Sequence, residues 1–245
     1  MGERRVLEIG GPERRHFLQG LVTNDVPKAP GRLVYAALLT PQGKFLADFF
    51  LQETGDAILL DVDAGLAEGL MRRLMMYKLR ADVTVAESDL KVFRGTGEAP
   101  EGALADPRHA GLGWRLYGAR AGDDGTDWDA LRVAHGVPET GIELQPDDTY
   151  ILEAGFERLH GVDFKKGCYV GQEVTARMKH KTELRKGFAV VEVEGDAPVG
   201  TEITADGKPV GTLYTQAAGR GIAYLRFDRA GAEMTAGEAR VTYPA

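Results

Sequence analysis

Cys168 is the only cysteine in the chain, and it lies in Lys166-Gly167-Cys168-Tyr169-Val170-Gly171-Gln172-Glu173, flanked by two glycines, an aromatic ring, a carboxamide and a carboxylate. The thiolate is the nucleophilic and metal-binding form of cysteine, and its population rises where cations or backbone N–H dipoles lie close. Lys165 and Lys166 stand just before it. The glycines permit backbone conformations closed to other residues and close approach to a ligand, while Gln172 and Glu173 supply amide donors and a carboxylate acceptor. An isolated cysteine is more often a small buried hydrophobe. The neighbours of Cys168 make it a candidate reactive group.

Other chemistries fit less well. Gly43-Lys44 and Lys166-Gly167 lack the spacing of a phosphate-binding loop, and no GxGxxG dinucleotide fingerprint is present. His16, His109, His135, His160 and His180 show no close metal-ligand spacing. A cysteine hydrolase needs a base beside the thiol, and His160 and His180 are near only in sequence. One cysteine also excludes an intrachain disulfide and a four-thiolate cluster within one subunit, so an iron–sulfur cluster would need ligands from a partner.

The elements that must position this loop are legible in outline. Gly11-Pro12-Glu13 opens a short helix carrying Phe17 and Leu18 and ending at Gly20. A strand over residues 32–40, a turn at Pro41-Gln42-Gly43 and a return strand over 45–51 follow, with another strand at 58–62. Asp63 caps a helix on which Leu66, Leu70 and Leu74 recur, with Tyr77 extending the same face. Met71, Met75 and Met76 read as core fillers of that helix, and Arg72, Arg73, Lys78 and Arg80 as its solvated face or, alternatively, as partners of a polyglutamyl or phosphate-bearing ligand. Val83 and Val85 form a strand, residues 95–102 a loop, and Asp127 to Gly136 a capped helix stopped by Pro138. Past residue 184 the pattern turns to alternating segments, 188–193 and 222–227 among them, with an Asp206-Gly207 hairpin turn.

The 245 residues are 43% hydrophobic and 27% charged, ordinary for a globular protein. A net charge of −7 gives no general attraction to nucleic acid. No run approaches a membrane span. The N-terminal residues lack an apolar signal segment and soon include Glu8 and Glu13, which leads us to expect a cytoplasmic protein.

The run Asp163-Phe164-Lys165-Lys166-Gly167-Cys168-Tyr169-Val170-Gly171-Gln172-Glu173, continuing to Lys179, resembles the signature of the YgfZ family, folate-binding proteins related to the T protein of glycine cleavage, an aminomethyltransferase. Phe17-Leu18-Gln19-Gly20, Thr23-Asn24-Asp25-Val26, Pro41-Gln42-Gly43-Lys44, Tyr77 to Val83 and Leu131 to Pro138 are similar to family segments in the same order. Gly155-Phe156 departs from it, standing where an Asn-Leu pair is common.

The resemblance implies an α+β fold: an aminomethyltransferase-like, folate-binding body over 1–180, as one unit or two interleaved subdomains, then a small Greek-key-like β-barrel over 184–245. It implies a tetrahydrofolate-binding factor that assembles or repairs iron–sulfur proteins, with Cys168 acting toward a carrier or client protein. The alternative is a folate-dependent aminomethyltransferase, and whether the protein is an enzyme stays open. A reduced pterin presents adjacent N–H donors, an apolar ring and an anionic glutamyl tail. Asp25, Glu153 and Glu173 are candidate acceptors, Tyr77 and Tyr169 candidate ring contacts, and Arg80, Lys166 and Arg177 candidate anion partners. Gly167 and Gln172 complete the candidate loop. Thiolate ligation suits iron–sulfur chemistry, whereas one-carbon transfer to folate has no evident need of a thiol.

Overall fold

A computed structural model describes residues 2–27, 30–180, 183–231 and 233–244. The expected junction between 180 and 184 includes residues 181 and 182, which lie outside the described residues. The body begins with β1 (Arg4–Gly10), α1 (Arg14–Gln19), β2 (Leu33–Leu39), β3 (Phe45–Glu53), β4 (Ile58–Asp63), α2 (Ala64–Lys78) and β5 (Thr84–Glu87). The five strands form one antiparallel sheet in the order β2-β3-β4-β1-β5.

Side chains of a strand alternate between faces, so a strand covered on both sides reads as a continuous apolar run. β2 is such a strand, with all seven residues of Leu-Val-Tyr-Ala-Ala-Leu-Leu buried. Val34, Ala36 and Leu38 face the core that α1 and α2 cover with Phe17, Leu18, Ala67, Leu70 and Leu74. Leu33, Tyr35, Ala37 and Leu39 face a second core closed by Leu144, Ile151, Phe156, Leu159 and Tyr169. The Asp63 side chain accepts from the Gly65 N–H and starts α2, as expected.

The methionine expectation fails in part. Met71 is partly buried against the core, but Met75 and Met76 are 49% and 76% exposed, because Leu70 and Leu74 already fill the inward stripe and a helix places the next residues around its far side. Tyr77 lies at the edge of that stripe and is 36% exposed.

A second sheet of β6 (Lys91–Gly95), β7 (Leu104–Ala105), β8 (Trp114–Gly118) and β9 (Gly122–Asp123) has the order β7-β8-β6-β9, with only the β6–β9 pairing parallel. It packs against the first sheet through a small apolar cluster of Val6, Leu59 and Val92 and through a network of buried ions. Asp61 of β4 receives Arg4 Nε at 2.6 Å, Arg115 Nη1 at 2.9 Å and the Tyr117 hydroxyl at 3.0 Å. Asp106 receives Arg108 through two nitrogens at 3.0 and 2.8 Å. The Phe50 ring lies under Arg115, 3.8 Å from guanidinium carbon to centroid, with Arg108 at 4.9 Å.

After α3 (Trp128–His135), started by Asp127 and ended by Gly136 in the left-handed conformation, an irregular stretch leads to α4 (Gln172–His180). The rest of the chain is a closed six-stranded barrel of β10 (Lys186–Glu194), β11 (Thr201–Ala205), β12 (Lys208–Ala217), β13 (Arg220–Arg226), β14 (Met234–Ala236) and β15 (Ala239–Thr242). Asp206 and Gly207 both have positive φ, 50° and 71°, and make the expected hairpin turn between β11 and β12.

Barrel and body are joined by a buried polar knot. Arg132 of α3, fully buried, donates to Glu143 at 3.0 Å and to the Thr215 hydroxyl of β12 at 2.9 Å, and that hydroxyl lies 2.6 Å from the other Glu143 oxygen. No described helix is long and apolar enough to cross a membrane.

Candidate functional site

The cysteine loop is held from beneath by its own lysine. Lys166 is buried, and its Nζ donates to the carbonyls of Gln19 at 2.6 Å and Val22 at 2.9 Å, at the end of α1 and just beyond it. Burial brings the Lys166 ammonium down to about 8 from its ordinary value, opposed by the nearby carboxylates of Asp25 and Asp163. Lys166 is thus a post under the loop, with its nitrogen committed to backbone carbonyls rather than offered to an anion.

Two turns set the position of the thiol. The Asp163 carboxylate accepts from the Lys165 N–H at 2.7 Å, and Gly167 takes φ 89° immediately before Cys168. Gly171, with φ 83°, packs so tightly on the β2–β3 turn that an added Cβ would lie 2.6 Å from the Thr40 carbonyl oxygen. Between these anchors Tyr169 turns inward and is buried, its ring 4.9 Å from Lys166 Nζ, while Cys168 is exposed and makes no side-chain hydrogen bond among the described residues. The thiol is thus exposed on a backbone fixed on both sides.

The remaining expected residues scatter. Asp25 is half-buried near Lys166, its Oδ1 accepting from Gln19 Nε2 at 2.8 Å. Gln172 and Glu173 begin α4, where Gln172 N–H bonds the Tyr169 carbonyl and Glu173 is exposed. Arg177 is exposed one turn further on. Tyr77 lies in the last turn of α2 and Arg80 just beyond the helix, both exposed.

Glu153 belongs to a separate place, a cleft of about 1040 Å³ where the barrel meets the body. Its carbonyl accepts from the Phe188 N–H at 2.8 Å, and one carboxylate oxygen receives the Tyr224 hydroxyl at 2.7 Å. Burial first, and then the Glu153 carboxylate, push the Tyr224 phenol well above its usual range, so it remains a donor at neutral pH. Phe188 stands edge-on to Tyr214 and Tyr224, at 5.8 and 5.3 Å between centroids. Lys44, Arg185 and Lys186 also line the cleft, with Met178 and His180 from the end of α4.

Sequence reasoning missed the aromatic wall. A signal was there: Phe188, Tyr214 and Tyr224 occupy the parity opposite to Val191, Leu213, Ala223 and Leu225, which fill the barrel core. Aromatics on a barrel's outer face mark a surface that something covers.

This architecture defines an aminomethyltransferase-like fold with a capping barrel. The glycine cleavage system aminomethyltransferase T of Bartonella henselae superposes with a TM-score of 0.77 over 97% of this chain and 81% of that one, at 15% identity, a likeness of fold. Residues 185–244 match the family model described as the CAF17 C-terminal beta-barrel domain.

The mitochondrial iron-sulfur cluster assembly factor IBA57 of Homo sapiens is 34% identical over 91% of this chain and 75% of its own length, and that of Mus musculus is 32% identical over the same shares. The IBA57 homolog of Mycosarcoma maydis is 32% identical over 75% of this chain and 54% of its own. The chain belongs to the IBA57 family of iron–sulfur cluster assembly factors. That family is related to the YgfZ family that the signature loop resembles.

The expectation of a cytoplasmic protein is overturned, because these relatives are named as mitochondrial. The physical reason is plain in the fold. Glu8 lies in β1 and Glu13 stands just before α1, its carboxylate accepting from the Asp82 N–H at 2.6 Å, so both acids serve the fold rather than a cellular address.

Proposed function

We propose that the protein acts in the assembly or repair of iron–sulfur proteins, binding a reduced folate such as tetrahydrofolate in the cleft and presenting Cys168 to a cluster carrier or client protein. The observation that carries the folate half is the Glu153–Tyr224 pair, which joins body to barrel at 2.7 Å inside a cleft walled by aromatic rings.

The donor set suits a pterin. With Tyr224 on one carboxylate oxygen, the Glu153 plane is fixed and its other oxygen accepts no protein hydrogen bond among the described residues. A carboxylate so held accepts ring N–H groups, Phe188 and Tyr214 offer apolar contact, and Arg185 and Lys186 suit glutamyl carboxylates. A bound reduced folate would supply the reducing and one-carbon-carrying chemistry of its pterin. The contacts expected from Asp25, Glu173, Tyr77, Arg80, Lys166 and Arg177 do not line this cleft and form no part of the proposal.

The thiol half rests on exposure and on counting. One cysteine cannot hold a cluster alone, so a partner must supply the other ligands, and an exposed, backbone-anchored thiol is placed to meet it.

Calorimetry with tetrahydrofolate tests the first half: Glu153→Gln and Tyr224→Phe should each weaken binding roughly tenfold, about the worth of a hydrogen bond to a charged group, while Cys168→Ala should not. Absence of saturable binding to the native protein sinks it. The second half is tested in cells lacking the endogenous protein, where Cys168→Ala at equal protein level should fail to restore cluster-enzyme activity. Full rescue by the alanine form would leave folate chemistry without a thiol, as in an aminomethyltransferase, as the surviving reading.

A further inference from the structure

The far end of α2 carries features that neither the cleft nor the thiol uses. Ala67, Leu70 and Leu74 bury one stripe of this helix. On the other side Arg72, Met75 and Met76 follow at i, i+3 and i+4, the spacing of a single helical face, and Leu79 stands just past the last helical residue. Arg72 is paired with Glu68 one turn back. The three apolar side chains beyond it are unpartnered, and Leu79 is 86% exposed.

Leu79 is also strained. The Ala81 N–H bonds the Lys78 carbonyl at 2.8 Å, closing a four-residue turn whose first corner is Leu79, with φ 46° and ψ −104°. That is the first corner of a type II′ turn, a position glycine fills because a Cβ is penalised there. The chain uses glycine at most of its positive-φ positions, yet here it places a leucine and points it into water. Its side chain is therefore exposed rather than spent on the core, on a backbone that disfavours it.

The charges around it say what would cover it. Arg73, Lys78 and Arg80 surround the apolar stripe and pair with no carboxylate among the described residues, on a chain whose net charge is −7. We propose that the C-terminal end of α2 is a docking face for an acidic, leucine-bearing helix of a partner protein. Met75, Met76 and Leu79 would receive its apolar stripe, and the three cations its carboxylates. A second copy of this chain fits poorly, since a two-fold contact would set the cations against themselves. An anionic bilayer fits poorly as well, because the acidic molecule is repelled from it. The inference is independent of the folate and thiol reading, and either stands if the other fails.

Fluorescence anisotropy on the full chain provides the test, with a labelled synthetic amphipathic helix bearing glutamates on one face and leucines on the other. It should bind saturably, more weakly as salt rises, and roughly tenfold more weakly to Leu79→Gly, the loss expected for a central apolar anchor. The thermal midpoint of Leu79→Gly should be unchanged or raised, since glycine relieves the turn, and this separates lost docking from lost folding. Triple replacement of Arg73, Lys78 and Arg80 by glutamate should abolish binding. The proposal is overturned if the glutamate peptide shows no saturable binding, if a lysine-for-glutamate peptide binds equally well, or if Leu79→Gly binds as the native chain does. It is equally overturned if the face instead drives self-association in sedimentation, or attachment to phosphatidylserine vesicles.

Discussion

The centre of the body and the cysteine loop both gather ions near an aromatic ring, but they are built in opposite ways. Around Phe50, Asp61 and Asp106 are wholly buried and saturated by Arg4, Arg115, Arg108 and Tyr117. Burial pushes both carboxyls up, yet the adjacent guanidinium groups outweigh it and hold them below their usual range. At the loop a single buried ammonium donates to two carbonyls, and the Cys168 thiol is left exposed, with no side-chain hydrogen bond among the described residues. Perturbed acidity alone would choose the wrong region, since structural ion networks shift pKa values as strongly as active sites do. The useful contrast is satisfaction: the ionic centre has its hydrogen bonds made, whereas the loop carries an exposed thiol with none among the described residues.

That contrast breaks if the ionic centre proves dispensable. Asp61→Ala should cost about 3–5 kcal/mol, because it strands Arg115 and Arg4 beside a hydrophobic ring, and urea unfolding measures it directly. A loss below about 1 kcal/mol, the scale of an exposed pair, would place the network among surface charges. The same carboxylates set the acid limit. Their folded pKa values are depressed, so their contribution is complete above the unfolded values near ~4 and is lost as pH falls through the folded ones. The native protein should lose stability on that limb, and Asp106→Asn should lose correspondingly less there.

Lys166→Met should cost about 1–3 kcal/mol through the unpaired carbonyls of Gln19 and Val22. It also has an alkaline signature. With the folded value near 8, below the unfolded one, the unfolded chain binds more protons as pH rises from about 8 toward 10.5. Native stability therefore gains relative to Lys166→Met over that window, by at most about 1.4 kcal/mol per pH unit. A difference that is flat across it would mean that the ammonium keeps its ordinary acidity.

The smallest effect is expected where the function is proposed. Cys168→Ala should change unfolding by less than about 0.5 kcal/mol, as for an exposed residue without special contacts, while the native thiol should react promptly with iodoacetamide under folded conditions. A large stability loss, or a thiol protected until unfolding, would move Cys168 into the core and erase the contrast.

Local rules in the chain decided a good deal unaided. Asp63 and Asp127 as caps, Gly136 as a helix stop, Asp206-Gly207 as a hairpin and the change to short alternating strands were all legible, because each depends on backbone geometry within a few residues. So was the loop around Cys168, whose glycines and lysine announce an unusual backbone. Long-range pairing was not legible. Nothing local says that Lys166 reaches back to Gln19, that Arg132 grips Thr215, or that Asp61 meets Arg115, since such partners are chosen by how sheets and barrel stack. Nor does periodicity tell a core methionine from an exposed one when both lie on a helix already filled by leucines. The sequence by itself determined the turns, the caps and the glycine-flanked cysteine loop; only the tertiary structure joined Glu153 to Tyr224 in one cleft and left Met76 and Leu79 in water, because burial belongs to the assembled surfaces and not to the residue.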